Sequence, residues 1–192
     1  MTRGVVLVLA AIAMVGAAAP RAAATEIEGA VAAERPTVVV LEPLAGPPPA
    51  RPAPRVVMDQ KNLTFVPAVL PVLRGTTIEF SNSDDVQHNV FSPSGIAGKF
   101  DLGTYGPGAT RTVTLDRPGE VLVLCNIHME MEAHVLVLDT PYFATATREG
   151  RYRITEVPPG AYAVRVWRGS WLPTGRTIDV PASGTVRADL AG

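Results

Sequence analysis

Residues 121–131 read Val-Leu-Val-Leu-Cys-Asn-Ile-His-Met-Glu-Met, an apolar strand followed at once by a short segment that carries sulfur and imidazole groups. Cys125, His128 and Met131 are close enough in sequence for a tight loop to bring a thiolate, an imidazole and a thioether to one point. Among biological metals, soft sulfur combined with imidazole favours copper. The segment therefore predicts a copper site at the end of a β-strand.

Cys125 is the single cysteine of the chain, so it cannot form an internal disulfide. The ordinary alternative is a buried thiol, since free cysteine is among the most buried residue types. His88 supplies a second imidazole upstream, although without the cysteine segment it would be interpreted as a hydrogen-bonded histidine of a core or turn. Two histidines, one cysteine and a weak axial methionine are the ligands of a blue, or type 1, copper site. We therefore expect one copper ion held by His88, Cys125, His128 and Met131, with Met129 as a rival for the axial position.

Short apolar runs separated by turn residues continue on both sides of this segment. The runs are Leu63–Val66, Val69–Leu73, Thr77–Phe80, Val86–Phe91, Thr110–Leu115, Val121–Leu124 and His134–Leu138. Glycine, proline and asparagine lie between them, and no long stretch has the 3.6-residue period of a helix. This pattern predicts an all-β chain in which residues 56–140 form an antiparallel β-sandwich.

A second β-rich section follows over residues 141–192. Its candidate strands are Tyr152–Ile154, Tyr162–Trp167, Thr177–Val180 and Thr185–Leu190. Because a section of this size is small for an independent core, we expect it to pack on the first sandwich or to include an extra strand. The β-branched run Val38–Leu41 is the candidate for that strand, and the sequence leaves open which sandwich contains it.

The N-terminus has the pattern of a secretory signal peptide over residues 1–24. Arg3 precedes an apolar stretch that is too short to span a bilayer and ends in a run of alanines typical of a cleavage region. Residues 25–55 then contain the run Val38–Leu41 and a proline-rich linker that cannot join a sheet. We expect export to the periplasm and no membrane span after cleavage. The expected division of the chain is 1–24, 25–55, 56–140 and 141–192.

Three motifs resemble those of the cupredoxins: Gln87–Phe91, Pro118–Glu120 and the Cys-x2-His-x2-Met spacing that begins at Cys125. The short gap between the histidine and the methionine is most similar to that of the amicyanin-type members. The resemblance covers about residues 56–139. It implies a Greek-key β-sandwich with one copper ion near one end.

The resemblance also implies roles for individual residues. His88, Cys125 and His128 would form a trigonal plane around the copper ion, and Met131 would be its axial ligand. Asn89 would tie the two ligand-bearing loops together. The chain departs from the family pattern at two positions, Asn126 and Met129, the second of which is often proline in the family.

In the same family, electrons pass through the exposed edge of the histidine that follows the cysteine, which here is His128. An apolar collar around that edge would contact the redox partner. The candidate collar residues are Phe91, Pro93, Ile96, Ile127 and Met129.

The second section carries a resemblance of its own. Glu149–Ile154 followed by Val157–Tyr162 is similar to the carboxypeptidase-regulatory type of small β-sandwich, whose hairpin contains Pro-Pro-Gly-x-Tyr. Cupredoxins joined to this module occur among methylamine-utilisation and plastocyanin-like proteins. The resemblance implies a redox context and does not identify a substrate.

These residues and resemblances predict a periplasmic one-electron carrier whose partner is a redox protein such as a c-type cytochrome or a periplasmic dehydrogenase. The balanced charge, with 17 Lys and Arg against 18 Asp and Glu, gives no reason to expect nucleic acid as a partner. An enzyme is disfavoured because copper nitrite reductases and multicopper oxidases need a second copper centre, which three histidines cannot also supply. Two alternatives stay open: a periplasmic Cu(I) storage or delivery protein, and a structural or binding β-protein.

The remaining polar and aromatic residues of interest are interpreted as structural. Asp84 and Asp85 lie in a turn without a matched acid and base, so we expect them to be solvated. Alternation along the strand after the ligand loop places His134 away from the metal. Trp167 and Trp171 are expected to pack against the sheets.

Overall fold

The computed structural model describes residues 25–48, 54–93 and 98–190. The expected signal peptide, part of the proline-rich linker and Ile96 lie outside these residues. Within them the chain is all-β, which confirms the predicted fold class, and no helix is present that could cross a membrane.

The described residues form 16 strands. In chain order these are β1 (Thr25–Ala30), β2 (Val38–Pro43), β3 (Arg55–Lys61), β4 (Thr64–Val66), β5 (Val69–Leu73), β6 (Thr76–Asn82), β7 (His88–Ser92), β8 (Phe100–Tyr105), β9 (Thr110–Leu115), β10 (Gly119–Leu124), β11 (Glu132–Leu138), β12 (Phe143–Thr145), β13 (Arg151–Val157), β14 (Gly160–Trp167), β15 (Trp171–Val180) and β16 (Gly184–Arg187).

Strands β3 to β11 form the first sandwich. One of its sheets has the order β4-β3-β6-β9, and the other has the order β5-β11-β10-β7-β8. Alternate residues of these strands point inward, as in β6, where every second residue is buried. The resulting core includes Phe80, Val121 and Val123, and it extends to Cys125 and Met131 at one end.

The second sandwich combines the N-terminal strands with the C-terminal ones. Its sheets have the orders β12-β2-β14-β15 and β13-β1-β16, so both strands of residues 25–43 lie in it. β2, which contains the run Val38–Leu41, pairs with β12 on one side and β14 on the other. Strand β1 pairs with β13 and β16. The small C-terminal section is thus completed by two strands from the other end of the described chain.

Strand pairing is mixed in both sandwiches, which corrects the expectation of a wholly antiparallel first sandwich. β3 pairs with β6 in parallel, as do β5 with β11 and β1 with β16. The inward and outward alternation of side chains is the same in parallel and antiparallel strands. A sequence pattern of period two therefore indicates a strand without fixing the direction of its neighbour.

The two sandwiches share a third core where their inner sheets face each other. Leu136 and Leu138 of β11 pack there against Val38 and Val40 of β2, together with Trp167 of β14. Both β2 and β11 are consequently buried on both faces, which explains why their sequences are almost continuously apolar. The four sheets form one stack with the predicted metal ligands at an end of the first sandwich.

Candidate metal centre

The predicted ligands lie where three adjacent strand ends meet. β7 begins at His88, β10 ends just before Cys125, and β11 begins just after Met131. β7 and β10 pair at Phe91 and Leu124. The loop from Cys125 to Met131 is closed by two backbone hydrogen bonds. The amide of Cys125 donates to the carbonyl of Met131 over 3.2 Å, and the amide of Met131 donates to the carbonyl of His128 over 3.0 Å. This compact loop brings the side chains of Cys125 and His128 to His88, the first residue of β7.

His88, Cys125 and His128 converge on one point. Their candidate ligand atoms all lie within 4.8 Å of one another. The Nδ1 atoms of the two histidines are 3.1 Å apart, and Sγ of Cys125 is 4.0 Å from Nδ1 of His128. His88 is 0% exposed and Cys125 is 4% exposed, whereas His128 is half-buried. The cluster is therefore closed on the protein side and reaches solvent through one imidazole.

The two methionines of the loop differ sharply in environment. Met131 is 1% exposed and packs in the same core as Cys125. Met129 is 85% exposed and occupies the second position of the turn that the His128 carbonyl and Met131 amide close. Of the two thioethers that the sequence left in competition, that of Met131 is on the inner side of the loop.

Asp84 is a residue of the site that the sequence interpretation missed. Its Oδ2 lies 2.8 Å from Nε2 of His88, and its carboxylate also accepts hydrogen bonds from the backbone amides of Asn62, at 2.6 Å, and Leu63, at 3.0 Å. Burial raises the pKa of Asp84, but the bonds from Leu63, His88 and Asn62 outweigh this and leave the pKa below its ordinary value. The expectation that Asp84 is merely solvated is wrong. The usable signal was an acidic residue four positions before a candidate ligand.

Asn89 does not have the partner that the family resemblance implied. Its Nδ2 donates to Oδ1 of Asp101 on β8 over 3.0 Å, while its own Oδ1 is buried without a hydrogen-bond partner among the described residues. Asn89 therefore fixes β7 to β8 instead of tying it to the ligand loop.

His134 lies outside the cluster, at the boundary between the sandwiches. Its Nδ1 is 2.8 Å from Oε1 of Glu120, and its ring lies 5.0 Å from that of Trp167. Nε1 of Trp167 donates to the other carboxylate oxygen of Glu120 over 3.1 Å. Trp171 instead packs against the guanidinium of Arg165.

Exposed apolar side chains lie near His128. Of the predicted collar, Ile127 and Met129 are exposed and Phe91 is half-buried. Two exposed apolar residues that the sequence interpretation did not include, Leu63 and Val86, lie beside Asp84 at the same end. They were missed because they belong to turns remote in sequence from the ligand loop.

The chemistry of this cluster fits copper. Two imidazole nitrogens and one thiol sulfur form the equatorial donor set of type 1 sites, and a buried thioether is present in the same core. Residues 53–138 match the copper binding proteins of the plastocyanin/azurin family. The match spans the first sandwich and agrees with the donor set in identifying copper as the cofactor.

Several solved structures resemble part of the chain. A Cu-containing nitrite reductase (NirK) from Thermus scotoductus SA-01 is 26% identical, with a TM-score of 0.43; the match covers 50% of this chain and only 25% of the reductase. A reduced amicyanin variant is 23% identical, with a TM-score of 0.41, over 44% of this chain and 82% of amicyanin. A purple cupredoxin from Nitrosopumilus maritimus is 21% identical, with a TM-score of 0.39, over 43% of this chain and 99% of that protein. No curated protein matches the chain.

Proposed function

We propose that this protein is an exported one-electron carrier with a single type 1 copper ion held by His88, Cys125, His128 and Met131. The observation that carries the proposal is the convergence of three donor atoms within 4.8 Å, two of them on buried side chains. When bound, copper supplies one-electron exchange between Cu(I) and Cu(II). The chain supplies a closed donor set that leaves little room for a substrate molecule.

Burial and rigidity suit these residues to electron transfer. His88 begins a strand, Cys125 follows a strand, and the loop between Cys125 and Met131 is held by its own backbone bonds. Side chains fixed in this way rearrange little when the charge of the bound ion changes. His128 is the ligand whose edge reaches solvent, so it is the route by which an electron would enter or leave.

The environment of the methionines supports Met131 as the axial ligand. Met131 is buried beside Cys125, whereas Met129 projects away from the loop. A weak axial thioether tunes the reduction potential of such a site. We assign Met129 to the apolar surface around His128.

That surface indicates how a partner would bind. Ile127, Met129, Leu63 and Val86 are exposed apolar side chains at the end of the sandwich that carries His128. Such a surface favours brief contact with a redox protein such as a c-type cytochrome or a periplasmic dehydrogenase. Export rests on the signal-like residues 1–24 of the sequence.

The test is the visible absorption and EPR spectrum of the Cu(II)-loaded mature protein, compared with the Cys125→Ser variant. A thiolate bonded to Cu(II) gives an intense blue or green band and narrow hyperfine splitting, both of which the serine variant should lose. Reversible oxidation and reduction of the coloured protein would complete the case. A colourless wild-type protein would contradict the proposal.

A second candidate function is storage or delivery of Cu(I). The observation that favours it is the 85% exposure of Met129, an additional soft donor next to His128. Tight binding of Cu(I) without a stable Cu(II) form, and transfer of Cu(I) to an acceptor protein, would support delivery over electron transfer.

For the domains, we propose one copper-binding unit over residues 56–140 and a second unit of the carboxypeptidase-regulatory type. The second unit would consist of residues 141–192 together with β1 and β2. The shared core around Trp167 supports a bracing role for it, because that core covers the outer face of β11, which directly follows the ligand loop.

A further inference from the structure

The turn between β3 and β4 has an unusual backbone conformation. Asn62 and Leu63 have φ values of 55° and 57°, which is the left-handed region. Asparagine tolerates this region, but leucine rarely adopts it. Because Lys61 pairs with Thr64, this is a two-residue hairpin turn, in which both central residues commonly have positive φ; the unusual feature is the leucine at the second position. The turn also directs two successive backbone N–H groups to one side, an arrangement that binds anions.

The anion held by this turn is the carboxylate of Asp84. Oδ1 of Asp84 accepts from the amide of Asn62, and Oδ2 accepts from the amide of Leu63. The backbone of Asp84 is also fixed, since its amide donates to Oδ1 of Asn82 over 3.0 Å. Asp84 is therefore held from its own strand end and from a turn more than twenty residues away in sequence.

The same carboxylate contacts the most deeply buried of the predicted ligands. Oδ2 of Asp84 lies 2.8 Å from Nε2 of His88, whose side chain is 0% exposed. A carboxylate oxygen can only accept, so Nε2 carries the proton in this contact. Nδ1 of His88 is then left with a lone pair, and it is this atom that faces Nδ1 of His128 at 3.1 Å.

We propose that Asp84, held by the Asn62–Leu63 turn, is a positioning residue that fixes the tautomer and orientation of His88 and lowers the reduction potential of the copper site. The inference rests on the proposed function for its redox part. Hydrogen bonds from ligating histidines to carboxylates fix the ring and raise its basicity as a donor. A more basic imidazole and a nearby negative charge both favour Cu(II) over Cu(I).

The first experiment uses the metal-free protein, so it does not depend on redox activity. Long-range proton–nitrogen NMR correlations report which ring nitrogen of His88 carries the proton. We expect the Nε2–H tautomer in the wild type and loss of that preference in Asp84→Ala. A proton on Nδ1 of His88 in the wild type would overturn the proposal.

The second experiment measures the copper-loaded protein by spectroelectrochemistry and by Cu(II) titration. Asp84→Asn removes the negative charge and places an amide NH₂ opposite one of the three groups that donate to the carboxylate, the amides of Asn62 and Leu63 and Nε2 of His88. Because the charge that favours Cu(II) is lost, we expect a higher reduction potential than in the wild type. Asp84→Ala removes the contact altogether, and we expect Cu(II) affinity to fall by about 10- to 100-fold.

A control variant separates the positioning role of Asp84 from the general effect of its charge. Asp85→Asn removes the same charge from the adjacent exposed residue, and it should shift the potential far less than Asp84→Asn. Equal shifts in Asp84→Asn and Asp85→Asn would show that Asp84 acts only as a distant charge and would refute its positioning role. A wild-type protein without a type 1 spectrum would contradict the electron-carrier function, while the tautomer measurement would still decide the role of Asp84.

Discussion

At the scale of single residues, Met131 and Met129 allow a paired test of the axial position. Met131→Leu keeps the volume of a buried side chain but removes its sulfur, and such swaps usually cost less than about 1.5 kcal/mol. Loss of a thioether donor favours Cu(I), so we expect a higher reduction potential with the blue colour retained. Met129→Leu should leave the potential unchanged, because this side chain is exposed. A higher potential in Met129→Leu together with an unchanged potential in Met131→Leu would show that Met129 is the axial ligand.

Tyr105 is a second residue with a measurable effect, this time on the dependence of stability on pH. Burial raises its pKa to about 12, although its hydroxyl also accepts a hydrogen bond from Gln60 at 2.6 Å. The phenol titrates near 10.0 in the unfolded chain, so the unfolded state releases its proton first as the pH rises. The free energy of unfolding is therefore unaffected by this titration below about pH 10. Between about pH 10 and 12 it falls by an amount on the order of 2 kcal/mol.

Tyr105→Phe should therefore show a smaller fall in the free energy of unfolding over that interval than the wild type does. Tyr152, whose pKa burial likewise raises to about 12, remains in both proteins and gives each a residual slope. Urea unfolding at pH 9 and at successive higher pH values measures the difference. Parallel curves for the two proteins would rule out Tyr105 as a source of the alkaline destabilisation.

The clustering of His88, Cys125 and His128 could be anticipated from the sequence because each residue type is rare and chemically distinctive. Asp84 could not be anticipated in the same way. Its role depends on the Asn62–Leu63 turn, whose amides reach it only after β3 has paired with β4 and with β6. The sequence shows that Asp84 lies four residues before His88, but it does not show which groups bind the Asp84 carboxylate.

At the scale of elements, β2 provides the clearest test of packing. Leu41 is fully buried in the second core, and Leu44, which follows the same strand, is 57% exposed. Leu41→Ala should lower the free energy of unfolding by about 2–5 kcal/mol. Leu44→Ala should change it by less than about 0.5 kcal/mol. Urea unfolding monitored by circular dichroism gives both values, and similar losses in the two variants would show that β2 is not buried in solution.

Strands with a simple apolar pattern were the ones that the sequence revealed. Val69–Leu73 and Thr110–Leu115 were predicted at the bounds that β5 and β9 have. β8 was missed because its sequence contains Gly103 and alternates poorly, and β1 was missed because charged residues interrupt its apolar ones. The parallel pairing of β5 with β11 could not be predicted either, since strand pairing depends on how distant segments fold together.

At the scale of the whole molecule, the two tryptophans provide a fluorescence probe of the second sandwich and of its contact with the first. Trp167 and Trp171 are the only tryptophans of the chain. Trp167 ends β14 and Trp171 begins β15, both in the second sandwich. The predicted copper ligands all lie in the first. Emission from tryptophan therefore reports the second sandwich and its contact with the first, while copper binding acts on the first sandwich.

The shared core predicts that the two sandwiches unfold together. Trp167 is 1% exposed and contacts Leu136 and Leu138 on the strand that follows the ligand loop, so separating the sandwiches would expose it. A ligand that binds only the folded state stabilises every part that unfolds with its site, by about 2.7 kcal/mol at one hundred times its Kd. We expect loading with Cu(I) to move the urea midpoint of tryptophan emission to higher concentration, with Cys125→Ser as the control that shows a smaller shift. An unchanged midpoint in the loaded wild type would mean that the second sandwich unfolds independently and does not brace the copper-binding one.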